Sequence, residues 1–346
     1  MSDWILARKE GRAGRITFNR PQALNALDHD MAGAIEKALD DWRHDPAVEV
    51  VIIDAEGPRA FCAGGDIATI YHLGKEGDFE IGPRFWRAEY RLNALIKEYE
   101  KPIVAFMQGF VMGGGVGVGG HASHRIVGDT TQIAMPETGI GLIPDVGGTL
   151  ILALAPGRVG EYLGLTGGRI NAADAIDAGF ADLYIPEADW PELIAKITAT
   201  GDPSCLPKHH TPAQKGRLAD FRPEIDAAFG GGNLREIVGT LDRMPGDFAQ
   251  ETATTLRRVS ALSAEATLRL VRMTRATPTI REALSNEFRF TLRAVEKAEF
   301  LEGVRAQIID KDRKPVWRYA LDTLPEALLA ELLAPLPKGW EIPFDA

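Results

Sequence analysis

The sequence predicts an α/β protein of repeated strand–strand–helix turns followed by a helical C-terminal region. Three observations carry that expectation. Short β-branched or alternating apolar runs recur through the first half, interleaved with amphipathic stretches. Two glycine-rich turns, AFCAGGD and GFVMGGGVGVGG, each lead from a strand-like run into a helix-like one. From about Trp190 the texture changes, and long stretches with apolar residues at helical spacing take over. The expected division is a body over residues 1–188 and a mainly helical region over 189–346 that completes the fold.

Taken in order, WILARKE and RITFNR alternate on either side of Gly11 and Gly14 and read as a β-hairpin. DHDMAGAIEKALDDW has apolar residues at helical spacing, with Asp28 placed to cap it. VEVVIIDAE is a buried strand by its β-branched run. Past the first glycine turn, DIATIYHLG is helical, and RFWRAEYRLNALIKEYE is an amphipathic helix ending before Pro102. PIVAFMQ is a strand, the second glycine segment opens a helix, and HRIVGD and TQIAM are short extended pieces. GDPSCLPKHHTP is rich in turn formers and reads as an irregular loop. Beyond it FAQETATTLRRVSAL, SAEATLRLVRMTRA and TIREALSNEFRFTLRAVEK are helices.

Composition narrows the function. With 346 residues, 45% of them apolar, the chain is long enough for a large core. A formal charge of −10 offers no basic face to nucleic acid or to an anionic membrane. No apolar run approaches the roughly 20 residues that span a bilayer. MSDWILARKEG has neither a secretory nor a transit-peptide character, so a cytoplasmic protein is expected. Cys62 and Cys205 are too few for a disulfide framework or a zinc site of their own. His121 and His124 would share a helix face if a helix extended that far, but no third metal ligand is evident. His209 and His210 fall in the irregular loop and are expected to be solvated.

Gly115, Gly117 and Gly120 satisfy the G-x-G-x-x-G pattern of a dinucleotide loop. That signal is weak outside the first strand–turn–helix of a βαβ unit, and about a hundred residues precede it here. A second use of the glycines needs only their main chain. Glycines at a helix start allow close approach of a ligand to free N–H groups. Two such N–H groups converging on one oxygen make an oxyanion hole. The AFCAGGD turn supplies a second glycine turn for that purpose.

NRPQALNAL, AFCAGGDI, the GGG segment and PETGIGLIPDVGG, in this order, resemble the enoyl-CoA hydratase/isomerase (crotonase) superfamily. FWRAEYRLN, VMGGGVGVG, AMPETGIGLIPDVGG, GLTGGRI and EFLEGVRAQIIDKDRKPVW are most similar to its 3-hydroxyisobutyryl-CoA hydrolase branch. The likeness runs from about residue 5 to residue 318 and implies the crotonase-like spiral. It implies an oxyanion hole of the Gly65 and Gly114 N–H groups, and catalysis by Glu137 and Asp145. Glu89 would join these carboxylates around the substrate; mutual repulsion and burial would raise at least one of their pKa values. Main-chain groups of Ala23–Leu27 and of Ala63, Gly64, Gly65 and Asp66 would hold the coenzyme A moiety. Its phosphates would fall to Arg20, Lys297, Arg305 or Lys314.

One departure from the family pattern matters most. Hydratases of the superfamily usually carry a glutamate at the position of Gly117, paired with the one matched by Glu137. Glycine cannot transfer a proton, so the usual hydratase pair is broken. The resemblance therefore implies hydrolysis of a short 3-hydroxyacyl-CoA, with 3-hydroxyisobutyryl-CoA of valine degradation the leading substrate. An enoyl- or dienoyl-CoA isomerase or hydratase is the first alternative, and a non-catalytic CoA-binding protein the second. No cofactor is expected, coenzyme A being part of the substrate. Cys62, beside the first glycine turn but without a histidine in its motif, reads as a buried thiol. Superfamily members usually assemble through C-terminal helices, so a homo-oligomer is among the expected states.

Overall fold

Strands β1 (Ile5–Glu10) and β2 (Ala13–Phe18) form the expected hairpin, antiparallel with Ile5 opposite Phe18. The computed structural model describes residues 3–208 and 211–345, so His209 and His210 lie outside the described residues. The chain divides into two units. The first comprises Met1–Gly65, Ala88–Ala134 and Arg169–Gly216; the second comprises Asp66–Arg87, Met135–Gly168 and Arg217–Ala346.

In the first unit the repeat is literal. Strand β3 (Val50–Ala55) is followed by β4 (Ala60–Cys62), β5 (Ile103–Met107) by β6 (Phe110–Met112), and β7 (His124–Val127) by β8 (Gln132–Ala134). The first member of each pair joins a six-stranded sheet ordered β1-β2-β3-β5-β7-β9, where β9 is Leu183–Tyr184. The second member joins a three-stranded sheet ordered β4-β6-β8. Apart from the β1–β2 hairpin, every pairing between these nine strands is parallel among the described residues. Each turn of chain thus adds one strand to each sheet, which is a spiral. The larger strands stand where the sequence predicts them, whereas AFC and FVM are short strands inside what the sequence presents as glycine turns. Three-residue strands flanked by glycine carry too little alternation to register.

The core of this unit lies on the six-stranded sheet. Val50, Ile52, Val104, Phe106 and Ile126 pack with Trp190 and Ile197 of the helix Trp190–Thr200. Phe106 and Trp190 pack with ring centroids 5.3 Å apart and ring planes tilted by 57°. Truncating such a buried aromatic ring to alanine costs about 3–5 kcal/mol. The helix His29–Arg43 starts as expected, with Asp28 accepting a 2.8 Å hydrogen bond from Met31 N–H.

The second unit is helical among its described residues. Its long members are Asp247–Arg258, Ala261–Ala276 and Ile280–Lys297. The first ends sooner than the sequence suggests, because Val259 is extended and Ser260 caps the next helix through Ser263 N–H. Among the described residues no helix is long and apolar enough to cross a membrane.

Candidate active site

The two glycine turns follow β4 and β6, which are parallel neighbours. Parallel neighbours end at the same edge of a sheet, so the turns leaving them must emerge side by side. The geometry bears this out. A Cβ on Gly115 would stand 2.1 Å from the carbonyl oxygen of Cys62, so only glycine allows the backbones this close. A Cβ on Gly114 would lie 3.6 Å from Gly65 N and 2.6 Å from Glu89 Oε1. Gly65, Gly114 and Glu89, distant in sequence, therefore surround one small volume.

Both glycines keep a main-chain N–H without a backbone acceptor among the described residues. Gly114 opens the helix Gly114–Gly119, and first-turn N–H groups have no acceptor within their own helix. Gly65 N–H makes no backbone hydrogen bond among the described residues. Glu89 comes from the helix Ile81–Lys97 and is 2% exposed.

The segments expected at coenzyme A are also brought together. Leu27 N–H donates to Gly64 O at 2.9 Å, and Ala63 N–H to Leu24 O at 3.0 Å. Asn25, fully buried, fastens this pairing. Its Nδ2 donates to Ala60 O at 2.9 Å and Glu56 O at 3.1 Å, while its Oδ1 accepts from Arg20 N–H at 2.8 Å. Leu24 and Asn25 both hold left-handed backbone, with φ of 53° and 55°. The sequence pattern does not reveal this clamp, although an Asn in a short loop is a familiar turn signal. Asp66 belongs to the second unit and immediately precedes the helix Ile67–Lys75.

Cys62 is buried, its Sγ 3.6 Å from Gly64 O. Burial pushes its thiol up to about 12, and the negative charge of Glu89 adds to the effect. It carries no thiolate at neutral pH and suits no nucleophilic role. The helix carrying the glycines stops at Gly119, and His124 begins β7. His121 and His124 consequently do not share a helix face.

In the second unit Glu137 begins the 3-10 turn Glu137–Ile140 and is 5% exposed. The chain then reverses: Gly141 is left-handed, and Leu142 N–H donates to Glu137 O at 3.0 Å. Asp145, 4% exposed, sits in the next turn, closed by Gly148 N–H to Asp145 O at 2.6 Å. A Cβ on Gly148 would meet Met135 Cε at 2.6 Å, so the chain entering Glu137 packs against the chain leaving Asp145. The GLTGGRI segment supports the same place, since a Cβ on Gly167 would meet Pro136 Cα at 2.9 Å.

Glu287, which the sequence reading does not single out, is a further buried carboxylate of this unit. Its Oε2 accepts from Gly147 N–H at 2.8 Å, and its Oε1 from Thr149 N–H at 3.0 Å. Thr149 Oγ1 donates to the same Oε1 at 2.5 Å. Burial raises this carboxyl to about 8, with a further upward push from Asp145. The signal was available: Glu287 interrupts a helix face otherwise set by Ile280, Leu284, Phe288 and Val295.

The basic candidates fare unevenly. Arg20 stands 3.9 Å from Asp28. Lys297 is ion-paired with Glu331, and Arg305 is bound to Glu302, Asp310 and Asp312. Lys297 and Arg305 thus already neutralise carboxylates of this chain, while Lys314 is exposed.

Comparison with known proteins places this architecture. The model of a family described as enoyl-CoA hydratase/isomerase matches residues 13–333. The chain belongs to that family. It is 36% identical over 344 residues to the mitochondrial 3-hydroxyisobutyryl-CoA hydrolase of Gallus gallus, covering 96% of this chain and 89% of that one. The human protein of the same name is 36% identical over 327 residues, covering 91% and 84%. Among solved structures, one named an enoyl-CoA hydratase from Rhodobacter sphaeroides is 54% identical with a TM-score of 0.93, covering 96% and 98%. A carnitinyl-CoA dehydratase from Mycobacterium thermoresistibile is 38% identical with a TM-score of 0.94, covering all of both chains. The fold is thus the crotonase-type fold of this enzyme family.

Proposed function

We propose that this chain hydrolyses a short 3-hydroxyacyl-CoA thioester, with 3-hydroxyisobutyryl-CoA the foremost substrate. The observation that carries the reading is the approach of Gly114 to Gly65 N, beside the buried Glu89. Two N–H donors in one place suit the oxyanion formed when a thioester carbonyl is attacked. Removing one such donor costs about 3–4 kcal/mol of transition-state stabilisation in other hydrolases.

In this reading the Glu137 carboxylate attacks the carbonyl carbon and the carbonyl oxygen becomes the oxyanion. Collapse expels coenzyme A as its thiolate, which takes a proton, and leaves a mixed anhydride on Glu137. Water then adds to the anhydride, releasing the hydroxy acid and restoring the carboxylate. Asp145 binds the substrate 3-hydroxyl or handles protons, and Glu89 orients the acyl group. No cofactor takes part, because coenzyme A belongs to the substrate. The vertebrate relatives named as 3-hydroxyisobutyryl-CoA hydrolases support this choice of reaction. The Rhodobacter neighbour is named a hydratase, but Gly117 leaves this chain without the second hydratase carboxylate.

The test offers the purified protein 3-hydroxyisobutyryl-CoA, 3-hydroxypropionyl-CoA, crotonyl-CoA and a dienoyl-CoA. Thiol release and double-bond absorbance are followed together. Thiol release from the hydroxyacyl thioesters, abolished by Glu137→Ala, is the expected result. Absorbance change on the unsaturated thioesters without thiol release would return the assignment to a hydratase or isomerase. A single turnover in ¹⁸O-water tests the route: an anhydride opened by water at the Glu137 carbonyl leaves label in the Glu137 side chain, which a general-base route never does.

A further inference from the structure

We infer that Glu287 is a positioning residue for Asp145, holding the turn that carries it through the main chain of Gly147 and Thr149. The inference rests on the reading of Asp145 as a site residue and adds to it a residue 142 positions further along the chain.

The turn needs holding. Asp145 is followed by Val146 at φ 54° and Gly147 at φ 76°, two successive left-handed residues. For a β-branched side chain that conformation is strained, and it persists only where its surroundings over-determine it. Within the turn Gly148 N–H reaches back to Asp145 O, which fixes one end. Glu287 fixes the other. Its two oxygens take three donors: Gly147 N–H on Oε2, and Thr149 N–H and Oγ–H on Oε1. Thr149 Oγ1 also lies 3.2 Å from Thr274 Oγ1, which ties the clamp to the helix Ala261–Ala276.

The chemistry of the clamp is specific to a carboxyl group. Glu287, Thr149 and Thr274 are all fully buried, so water does not replace a lost acceptor at low cost. Glutamine has nearly the same shape but only one acceptor oxygen. Its NH₂ only donates, so it would face either Gly147 N–H or Thr149 N–H, setting donor against donor, whereas a carboxyl oxygen accepts from these N–H groups with or without its proton. A residue needed only to fill space would tolerate that exchange. Asp145 is also near enough for its charge to be felt at Glu287, so the two carboxyls are electrostatically coupled as well as joined through the turn.

The experiment is a double-mutant cycle on kcat, using the thioester that the wild-type protein turns over fastest. The variants are Glu287→Gln, Asp145→Asn and the pair together, each checked for folding by circular dichroism and Tm. Glu287→Gln is expected to lower kcat by about 50-fold with KM changed less than about threefold. The pair should be no slower than the slower single variant, because one residue acts through the other. Wild-type kcat in folded Glu287→Gln, or multiplicative losses in the pair, would overturn the inference while leaving Asp145 in the site. Wild-type activity in Asp145→Asn would instead remove Asp145 from the site, and the inference with it. Should Glu287→Gln not fold, Thr149→Val enters the same cycle, removing only the Oγ donor. A roughly fivefold loss of kcat, not additive with Asp145→Asn, is then expected, and an unchanged kcat overturns the proposal.

Discussion

Glu89 Oε1 stands 2.6 Å from the point a Cβ on Gly114 would occupy, and Gly65 N stands 3.6 Å from the same point. Two residues of the β4 and β6 turns and one of a helix thereby converge on a volume that a single methyl group would fill.

Gly114→Ala tests that volume directly. The new methyl meets the end of the Glu89 side chain, which can shift, and lies in ordinary contact with Leu27 Cδ2 at 3.5 Å. Stability should fall only modestly, by about 1 kcal/mol. Activity should fall much further, by about 10²–10³ in kcat/KM, as for loss of an oxyanion donor. Steady-state thiol release beside a urea titration measures both quantities. Near-wild-type turnover in the folded variant would place the reacting oxygen elsewhere.

Cys62 should prove inert despite its position next to the glycine turn. With its thiol raised to about 12 by burial, the thiolate fraction at pH 8 is negligible. Iodoacetamide is expected to label half-exposed Cys205 in the native protein and to reach Cys62 only in urea. Mass spectrometry reads the two sites separately. Cys62→Ala should keep activity within about threefold of wild type; a large loss would restore a role for the thiol.

Much of this was legible in the sequence, for identifiable reasons. The hairpin, the Asp28 cap and the β3 and β5 runs follow from local pattern, which period and capping chemistry set within a few residues. The glycine turns stood out because each needs a residue without a Cβ where backbones meet, as at Gly115 against Cys62 O. Asn25 and Glu287 escaped notice because their partners are main-chain groups. Asn25 grips Glu56 O and Ala60 O, and Glu287 grips Gly147 and Thr149, residues that no sequence pattern pairs with them. Side-chain to main-chain bonds leave no trace in composition or periodicity at the main-chain end.

Glu161 should be a stability residue whose loss leaves the chemistry unaltered. Its side chain has no exposure and receives both Arg275 terminal nitrogens, at 2.7 and 2.9 Å, and Arg158 at 2.8 Å. Burial alone would raise its carboxyl, but the hydrogen bonds from Arg275 and Arg158 hold it below the usual range. Arg275→Met leaves Arg158 as partner, so a loss of about 2 kcal/mol is expected, less than for a fully abandoned buried charge. The sign in pH follows from the lowered pKa. This contribution is complete above the unfolded value near 4.5 and is lost as pH falls through the folded value. Urea unfolding at about pH 7 and pH 3 should show the Arg275→Met penalty shrinking at the lower pH; a constant penalty would mean that packing, not charge, is at stake.

Glu287 has the opposite sign, which makes it separable from Glu161 by pH alone. Burial raises its carboxyl from 4.5 to about 8; Thr149 and Gly147 pull it down, and the negative charge of Asp145 pushes it up again. A group with a raised folded pKa binds its proton more tightly when folded. Its stabilising contribution is therefore complete below about pH 4.5 and is lost as pH rises through about 8. The upper limit of that loss is on the order of 5 kcal/mol. Wild-type unfolding free energy should accordingly decline between pH 5 and 8, and Glu287→Gln should flatten the decline. Asp145→Asn should reduce it as well, because removing the neighbouring charge lowers the pKa of Glu287 and shortens the window. A decline that survives Glu287→Gln unchanged would assign the titration to another buried group.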